Sequence, residues 1–321
     1  MTARRLGRGP LEVSPIGLGC WQFSGGRSFA GAFWGALAPD TMDAIVRAAL
    51  DGGVDWFDTA EIYGNGRSER ALAHALAAAG RRDGDVTVAT KWWPVLRTAR
   101  SIGATFAQRE RALDGFTVGL HQVHQPFSFS SVEAQMDAMA ALVAAGRVRA
   151  VGVSNFSAAW MRRAHARLAR HGIALATNQV RYSLARRTIE RDGTLAAARE
   201  LGVSIIAYSP LAQGLLSGRF HADPRRTARP EGLRRHLPEF GRRNLERARP
   251  LVSELGRIAA AHGATAAQVA LAWLLQFHGD LVVAIPGATR PGQVTESAAA
   301  MGLTLTRAEL DRLDGASRRF A

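Results

Sequence analysis

The sequence predicts an α/β fold: a closed barrel of eight parallel strands alternating with helices, with an N-terminal hairpin and extra C-terminal helices. Three observations predict it. Short apolar runs of strand length alternate with helical patterns along the chain, as in a parallel sheet covered by helices. Eight such units in 321 residues favour the (β/α)8 TIM barrel over an open sheet. No strand is followed by Gly-x-Gly-x-x-Gly, the signal that a doubly wound dinucleotide fold would carry. The chain, 1–321, therefore reads as a single barrel domain.

Each element follows from local signals. Residues 6–13 read as a hairpin around Gly7-Arg8-Gly9-Pro10. A first buried strand covers 16–20, and a long loop follows with Trp21, Phe23, Phe29, Phe33 and Trp34 among glycines. Pro39-Asp40-Thr41 opens a helix over 40–50, and Gly52-Gly53 stops it. The second strand, 54–59, breaks into the polar turn Ala60-Glu61-Ile62-Tyr63-Gly64. A helix over 68–79 stops at Gly80, and the third strand, 86–90, ends at Lys91. Trp92-Trp93-Pro94 reads as loop, 99–113 as helix, and 119–123 as a strand ending at His124-Gln125-Pro126.

Residues 131–145 form an Ala- and Met-rich helix, and the strand 148–153 ends in Ser154-Asn155-Phe156. Helix 158–170, strand 175–180, helix 194–201 and strand 203–207 follow. The last of these ends in Tyr208-Ser209-Pro210, and an Arg- and Pro-rich loop spans 211–243. Helices over 245–262 and 265–277, the eighth strand at 281–285, and helices over 291–300 and 306–313 complete the chain.

Composition narrows the function. The net charge of +14 raises nucleic acid as a partner, but the arginines are scattered and no base-stacking aromatic motif lies among them. A solvated basic surface that favours anionic ligands accounts for the charge. No apolar run reaches the roughly 18 residues of a membrane span. Residues 1–10 lack an apolar h-region, so no secretory signal is expected. The single cysteine, Cys20, excludes an internal disulfide, suits a reducing cytoplasm, and is expected as a buried core thiol. No metal site is expected.

Lys91 is the only lysine: Lys plus Arg total 41, and 41 − 1 leaves 40 arginines. A position where lysine persists against that bias needs a compact ammonium with a tunable pKa. The carboxylate of Asp58, ending a buried strand, requires a cation as partner. In a barrel the C-terminal ends of the strands meet on one face. Asp58, Lys91, His124, Asn155, Gln179 and Tyr208 lie at or near such ends, with Tyr63 on an adjoining loop.

Asp58, Tyr63, Lys91 and His124, in that order and on those strands, resemble the catalytic tetrad of the aldo-keto reductase superfamily. The resemblance covers nearly the whole chain. It includes Gly152-Val153-Ser154-Asn155-Phe156, Asn178-Gln179-Val180, the run from Tyr208 to Gly214, and Ile285-Pro286-Gly287-Ala288. It implies NADPH-dependent reduction of a small-molecule aldehyde or ketone. Tyr63 would be the general acid, Lys91 would lower its pKa, Asp58 would hold Lys91, and His124 would orient the carbonyl. By the same resemblance Ser154, Asn155 and Gln179 hold the carboxamide, and Tyr208 stacks on the nicotinamide. Ser209, Leu211, Gln213 and Gly214 lie along the pyrophosphate. Gly287, Thr289, Arg290, Gln293, Glu296 and Ser297 hold the adenosine end, with Arg290 suited to the 2′-phosphate.

The chain departs from the family's pattern in places. Gly287 and Ser297 stand where lysine and asparagine are frequent, and Gln125 stands where tryptophan is common. Gly119-Leu120-His121 replaces an aspartate-leucine-tyrosine run, and His121 should point away from His124 by strand alternation. Trp21, Phe23, Trp34, Trp92, Trp93 and Phe127 are expected to line a wide pocket for a bulky or aromatic carbonyl. Arg219, Arg225 and Arg226 are candidates for a basic lid. Two other readings remain: a pathway-specific ketoreductase of a keto-sugar or natural product, and a cofactor-binding regulatory subunit of the potassium-channel beta type.

Overall fold

The computed structural model describes residues 2–25, 35–221 and 236–320. β1 (Arg4–Arg5) and β2 (Glu12–Val13) pair antiparallel as the expected hairpin. The parallel sheet runs through β3 (Leu18–Gly19), β4 (Trp56–Asp58), β5 (Thr87–Trp92) and β6 (Val118–Val123). It continues through β7 (Val148–Ser154), β8 (Leu175–Arg181), β9 (Ser204–Tyr208) and β10 (Val282–Ile285). Each strand pairs with the next in chain order, and bridges from Ile16 to Ala284 and from Gly19 to Gly287 join the two ends. Backbone bonds from Gly17 N–H to Ala284 O (2.9 Å) and Gly19 N–H to Pro286 O (3.1 Å) complete the seam. The eight-stranded barrel that the sequence predicts is the fold.

The helices are α1 (Pro39–Asp51), α2 (Arg67–Ala78), α3 (Arg100–Leu113), α4 (Val132–Ala144), α5 (Ala158–Ala169) and α6 (Thr194–Leu201). The chain goes on to α7 (Arg242–Ala261), α8 (Ala266–Gln276), α9 (Pro291–Ala299) and, beyond the barrel, α10 (Arg307–Ser317). Their starts have identifiable causes. Ser131 and Ser157 cap α4 and α5, and Thr265 and Thr306 form capping boxes with Gln268 and Glu309. No single described helix is long and apolar enough to cross a membrane.

Strand alternation sorts the chain into two cores. Trp56, Ala89, Leu120, Ala150, Ala176, Ile206 and Val283 fill the barrel interior, with Leu6, Leu11 and Val13 of the hairpin packed against them. The hairpin thus plugs the N-terminal end. Its turn needs glycine at position 7, where φ is +58° and a Cβ would sit 2.6 Å from Ala176 O. The opposite strand faces pack under the helices in a larger apolar layer. Two residues further along the strands, the interior turns polar: Asp58 follows Trp56, Lys91 follows Ala89, Gln122 follows Leu120 and Tyr208 follows Ile206. The plugged end is apolar and the C-terminal end is polar.

His121 obeys the alternation and faces the helix layer, its ring edge-on to Phe106 of α3 with centroids 5.1 Å apart. Burial, then the charge of Arg109, lowers its pKa from 6.5 to about 3, against a hydrogen bond with the Thr90 backbone. An unfolded chain protonates this imidazole below about pH 6.5, whereas the folded chain resists until about 3. The stability involved is complete above 6.5 and declines as pH falls toward 3. One proton corresponds to about 1.4 kcal/mol per pH unit. Urea unfolding at pH 7 and pH 4.5 checks this: wild type should lose about 2–3 kcal/mol more over that interval than His121→Phe. Equal losses would show that His121 is not the titrating group.

Candidate active site

Asp58 closes β4 and Lys91 lies in the adjacent β5; they are 2% and 0% exposed. Lys91 Nζ forms an ion pair with Asp58 Oδ1 and donates to Thr59 O at 2.8 Å. The other carboxylate oxygen, Asp58 Oδ2, accepts from Gln122 Nε2 (3.1 Å) and Gln179 Nε2 (2.9 Å). Burial disfavours the ammonium, but Asp58 and Tyr63 more than offset it and hold the Lys91 pKa above its ordinary value. Lys91 is therefore charged.

Tyr63 leans over this pair, its ring centroid 5.0 Å from Lys91 Nζ. Burial raises the phenol's pKa; Lys91 lowers it and Asp58 adds to the rise. The lysine acts in the expected direction, but the net shift is upward, because desolvation of the phenolate outweighs one cation. His124, at the end of β6, meets Tyr63 edge to face at 5.6 Å and Trp93 at 5.3 Å. Burial and the Lys91 charge push its pKa well below 6.5, so the ring is neutral. Its Nδ1 has no hydrogen-bond partner among the described residues.

An ionic cluster fixes the two loops that carry these groups. Glu61, two residues before Tyr63, accepts from the backbone N–H of Trp93 and pairs with Arg97 and Arg109. Arg109 also reaches Glu69 of α2 at 2.9 Å, and Thr90 Oγ1 donates to that carboxylate at 2.6 Å. The Tyr63 loop is thereby tied to the segment just after Lys91. Neither Glu61 nor Gln122 emerges from sequence reasoning. Gln122 does carry a signal, a polar residue at the inward phase of an apolar strand, in register with Lys91.

A cleft of about 1190 Å³ opens above Asp58, Tyr63 and His124. Ser154, Asn155, Gln179 and Tyr208 line it, as do Ser209, Leu211, Gln213 and Gly214 and, further out, Gly287, Thr289, Arg290, Gln293, Glu296 and Ser297. Asn155, at a left-handed φ of +61°, ties three strand ends together. Its Nδ2 donates to His124 O (3.2 Å) and Ser154 Oγ (3.0 Å), and its Oδ1 accepts from Tyr208 O–H (3.1 Å). After β9 the backbone is left-handed at Ser209, Ala212, Gln213 and Gly214, a conformation that turns N–H groups toward a shared concavity suited to anions. Arg290 precedes Pro291 at the start of α9, where orphan N–H groups and the helix dipole also favour an anion.

The aromatic lining is narrower than expected. Trp21 and Trp93 line the cleft. Trp92 does not: Lys91 points inward, so its neighbour points out, is buried in the helix layer and donates from Nε1 to Ser101 Oγ at 3.0 Å. Phe23 is turned into the same layer by the short 3-10 helix Trp21–Ser24. Phe127 is 68% exposed and outside the cleft. Trp34, Phe29, Phe33, Arg225 and Arg226 lie outside the described residues. Arg219 lines the cleft, and so do Ile62, Leu37, Gln125 and Arg181, the last paired with Glu239. Cys20 borders it as a buried thiol whose pKa burial pushes up.

Known proteins share this architecture. Residues 15–318 match the aldo/keto reductase family. An uncharacterized oxidoreductase of Mycobacterium tuberculosis, and its counterpart in Mycobacterium bovis, are 41% identical over 313 residues, 96% of this chain and 91% of theirs. Glycerol dehydrogenase from Gluconobacter oxydans superposes with a TM-score of 0.83 at 29% identity, covering 99% of this chain and 96% of that one. A thermostable aldo-keto reductase solved with the inhibitor epalrestat gives 0.79 at 28% identity, over 98% and 100%. An aldo-keto reductase from Klebsiella pneumoniae in complex with NADPH gives 0.74 at 28%, over 98% and 95%. With its barrel, its buried Asp58–Lys91 pair and these relatives, the chain belongs to the aldo/keto reductase family and is an oxidoreductase.

Proposed function

We propose that the protein reduces a bulky or aromatic aldehyde or ketone to an alcohol with NADPH, with Tyr63 as general acid. The observation that carries this is the meeting of a charged Lys91, a protonated Tyr63 and a neutral His124 at the base of one large cleft. The residues fit the cofactor. The left-handed turn after β9 offers backbone donors to a pyrophosphate, and Arg290 offers a fork of donors to a 2′-phosphate. That a structural neighbour is held in complex with NADPH supports the same reading. When bound, NADPH supplies the hydride.

This chain's residues handle the proton and the charge. The raised pKa keeps the Tyr63 proton in place at neutral pH, available to the carbonyl oxygen as negative charge develops there. Lys91, fixed close to the ring, stabilises the phenolate that remains. Asp58 keeps Lys91 charged and in position. His124 is uncharged, so it orients the carbonyl through a hydrogen bond without competing as a proton source. Ser154, Asn155 and Gln179 would hold the carboxamide, Tyr208 would face the nicotinamide, and Gly287, Thr289, Gln293, Glu296 and Ser297 would surround the adenosine end, all of them lining the cleft. Trp21 and Trp93, with Ile62, offer apolar walls that favour a bulky substituent.

Two experiments test this. Lys91→Arg should fold and bind NADPH while single-turnover oxidation of NADPH by an aromatic aldehyde falls about a hundredfold, because a longer, forked cation misplaces the acid. Tyr63→Phe should behave alike, since it deletes the proton donor. Wild-type rates in either variant would refute Tyr63 as the acid. Separately, Arg290→Ala should weaken NADPH about tenfold, by fluorescence titration, and leave NADH nearly unchanged. Equal weakening of both would remove the 2′-phosphate role.

A further inference from the structure

Gln122 is fully buried in β6 and does not line the cleft, so it cannot touch a ligand. It nevertheless sits at the junction of two functions. Its Nε2 donates to Asp58 Oδ2 at 3.1 Å, and Gln179 Nε2 donates to the same oxygen at 2.9 Å. A carboxylate can only accept, so both amides must turn their NH2 groups toward it. Gln122 Oε1 then accepts from Gln179 Nε2 at 3.4 Å and from Thr177 Oγ1 at 3.5 Å. Both N–H bonds of Gln179 are thereby directed inward, to Asp58 and to Gln122. Its carbonyl oxygen is left on the side of the cleft, which Gln179 lines.

We infer that Gln122 is a positioning residue that fixes the polarity of the Gln179 amide. By accepting one N–H of Gln179 it holds Gln179 Oε1 outward, as an acceptor matched to the NH2 of a nicotinamide carboxamide. By donating to Asp58 it completes the oxygen that Lys91 does not use. The seat of the nicotinamide ring and the charge behind the acid thus share one buried amide. This inference rests on the cofactor reading proposed above. It goes further in giving the seat a defined hydrogen-bond polarity, set by a residue that contacts no ligand.

The test compares NADPH with 2′-phospho-ADP-ribose, which lacks the nicotinamide ring, by titration against the full chain. In Gln122→Met, which keeps the side chain's length but neither donates nor accepts as an amide does, NADPH should bind about tenfold more weakly, the effect of one lost hydrogen bond. The affinity for 2′-phospho-ADP-ribose should not change. Gln122→Leu, which likewise cannot accept from Gln179, covers the case in which the methionine variant does not fold, and the same contrast between the two ligands is expected there. Equal weakening of both ligands would make Gln122 merely structural and overturn the inference. Unchanged NADPH binding in the variants would overturn it as well. Failure of the wild-type chain to bind either ligand would instead remove the cofactor reading, and the inference with it.

Discussion

The polar face of this barrel depends on one buried ion pair, Asp58 with Lys91. Taking two charges out of water costs several kcal/mol per ion, and attraction alone does not recover it unless the remaining lone pairs and protons are also met. Here they are. Lys91 reaches a carboxylate oxygen and a backbone carbonyl, and the second carboxylate oxygen receives two amides. The fold makes this possible because β4, β5, β6 and β8 deliver these groups to one layer, two residues above the apolar filling. The hairpin matters for the same reason. By closing the other end with Leu6, Leu11 and Val13, it leaves only one end where polar side chains can meet solvent and ligand.

A second ionic cluster lies outside this layer and has another task. Glu61, Arg109 and Glu69 are each less than a tenth exposed. Burial raises the Glu69 pKa, and Arg109 opposes it. What the cluster joins is informative: Glu61 belongs to the Tyr63 loop, its backbone partner Trp93 follows Lys91, and Arg109 belongs to α3. The inner pair sets the charge near the phenol, and the outer cluster sets where the phenol's loop can sit. A loop tethered at Glu61 allows Tyr63 little movement relative to Lys91, and the proposed role of Tyr63 as acid requires such a fixed geometry.

Much of this was legible in the sequence, and the reason is periodicity. Eight apolar strands imply a barrel, a barrel gathers strand ends, and the polar residues at those ends become one site. The same rule placed His121 away from His124. Where sequence reasoning failed, it applied proximity in place of phase. Trp92 and Trp93 are neighbours, but only the second shares the inward phase of Lys91. Phe23 and Phe127 depended on the course of loops, which no strand period governs. The net pKa of Tyr63 was not legible either, because it is a contest between burial and a cation whose outcome needs the packed environment. Gln122 was missed because an amide announces no chemistry until its partners are known.

The composition also acquires a reason. Arginines on the outer helices bind carboxylates through two N–H groups: Arg163 with Glu133 at 2.9 and 2.9 Å, and Arg167 with Asp137 at 2.6 and 2.7 Å. Such forks suit a carboxylate with both oxygens to offer. Asp58 has only one to offer, since the amides of Gln122 and Gln179 take the other. The ammonium of Lys91 is compact enough to reach both Asp58 Oδ1 and Thr59 O in this fully buried position, with Nζ 5.0 Å from the centroid of the Tyr63 ring. A guanidinium is longer, planar and forked, so it would displace one of these partners. The single place where the chain departs from arginine is therefore a place where the acceptors match a compact cation and not a fork.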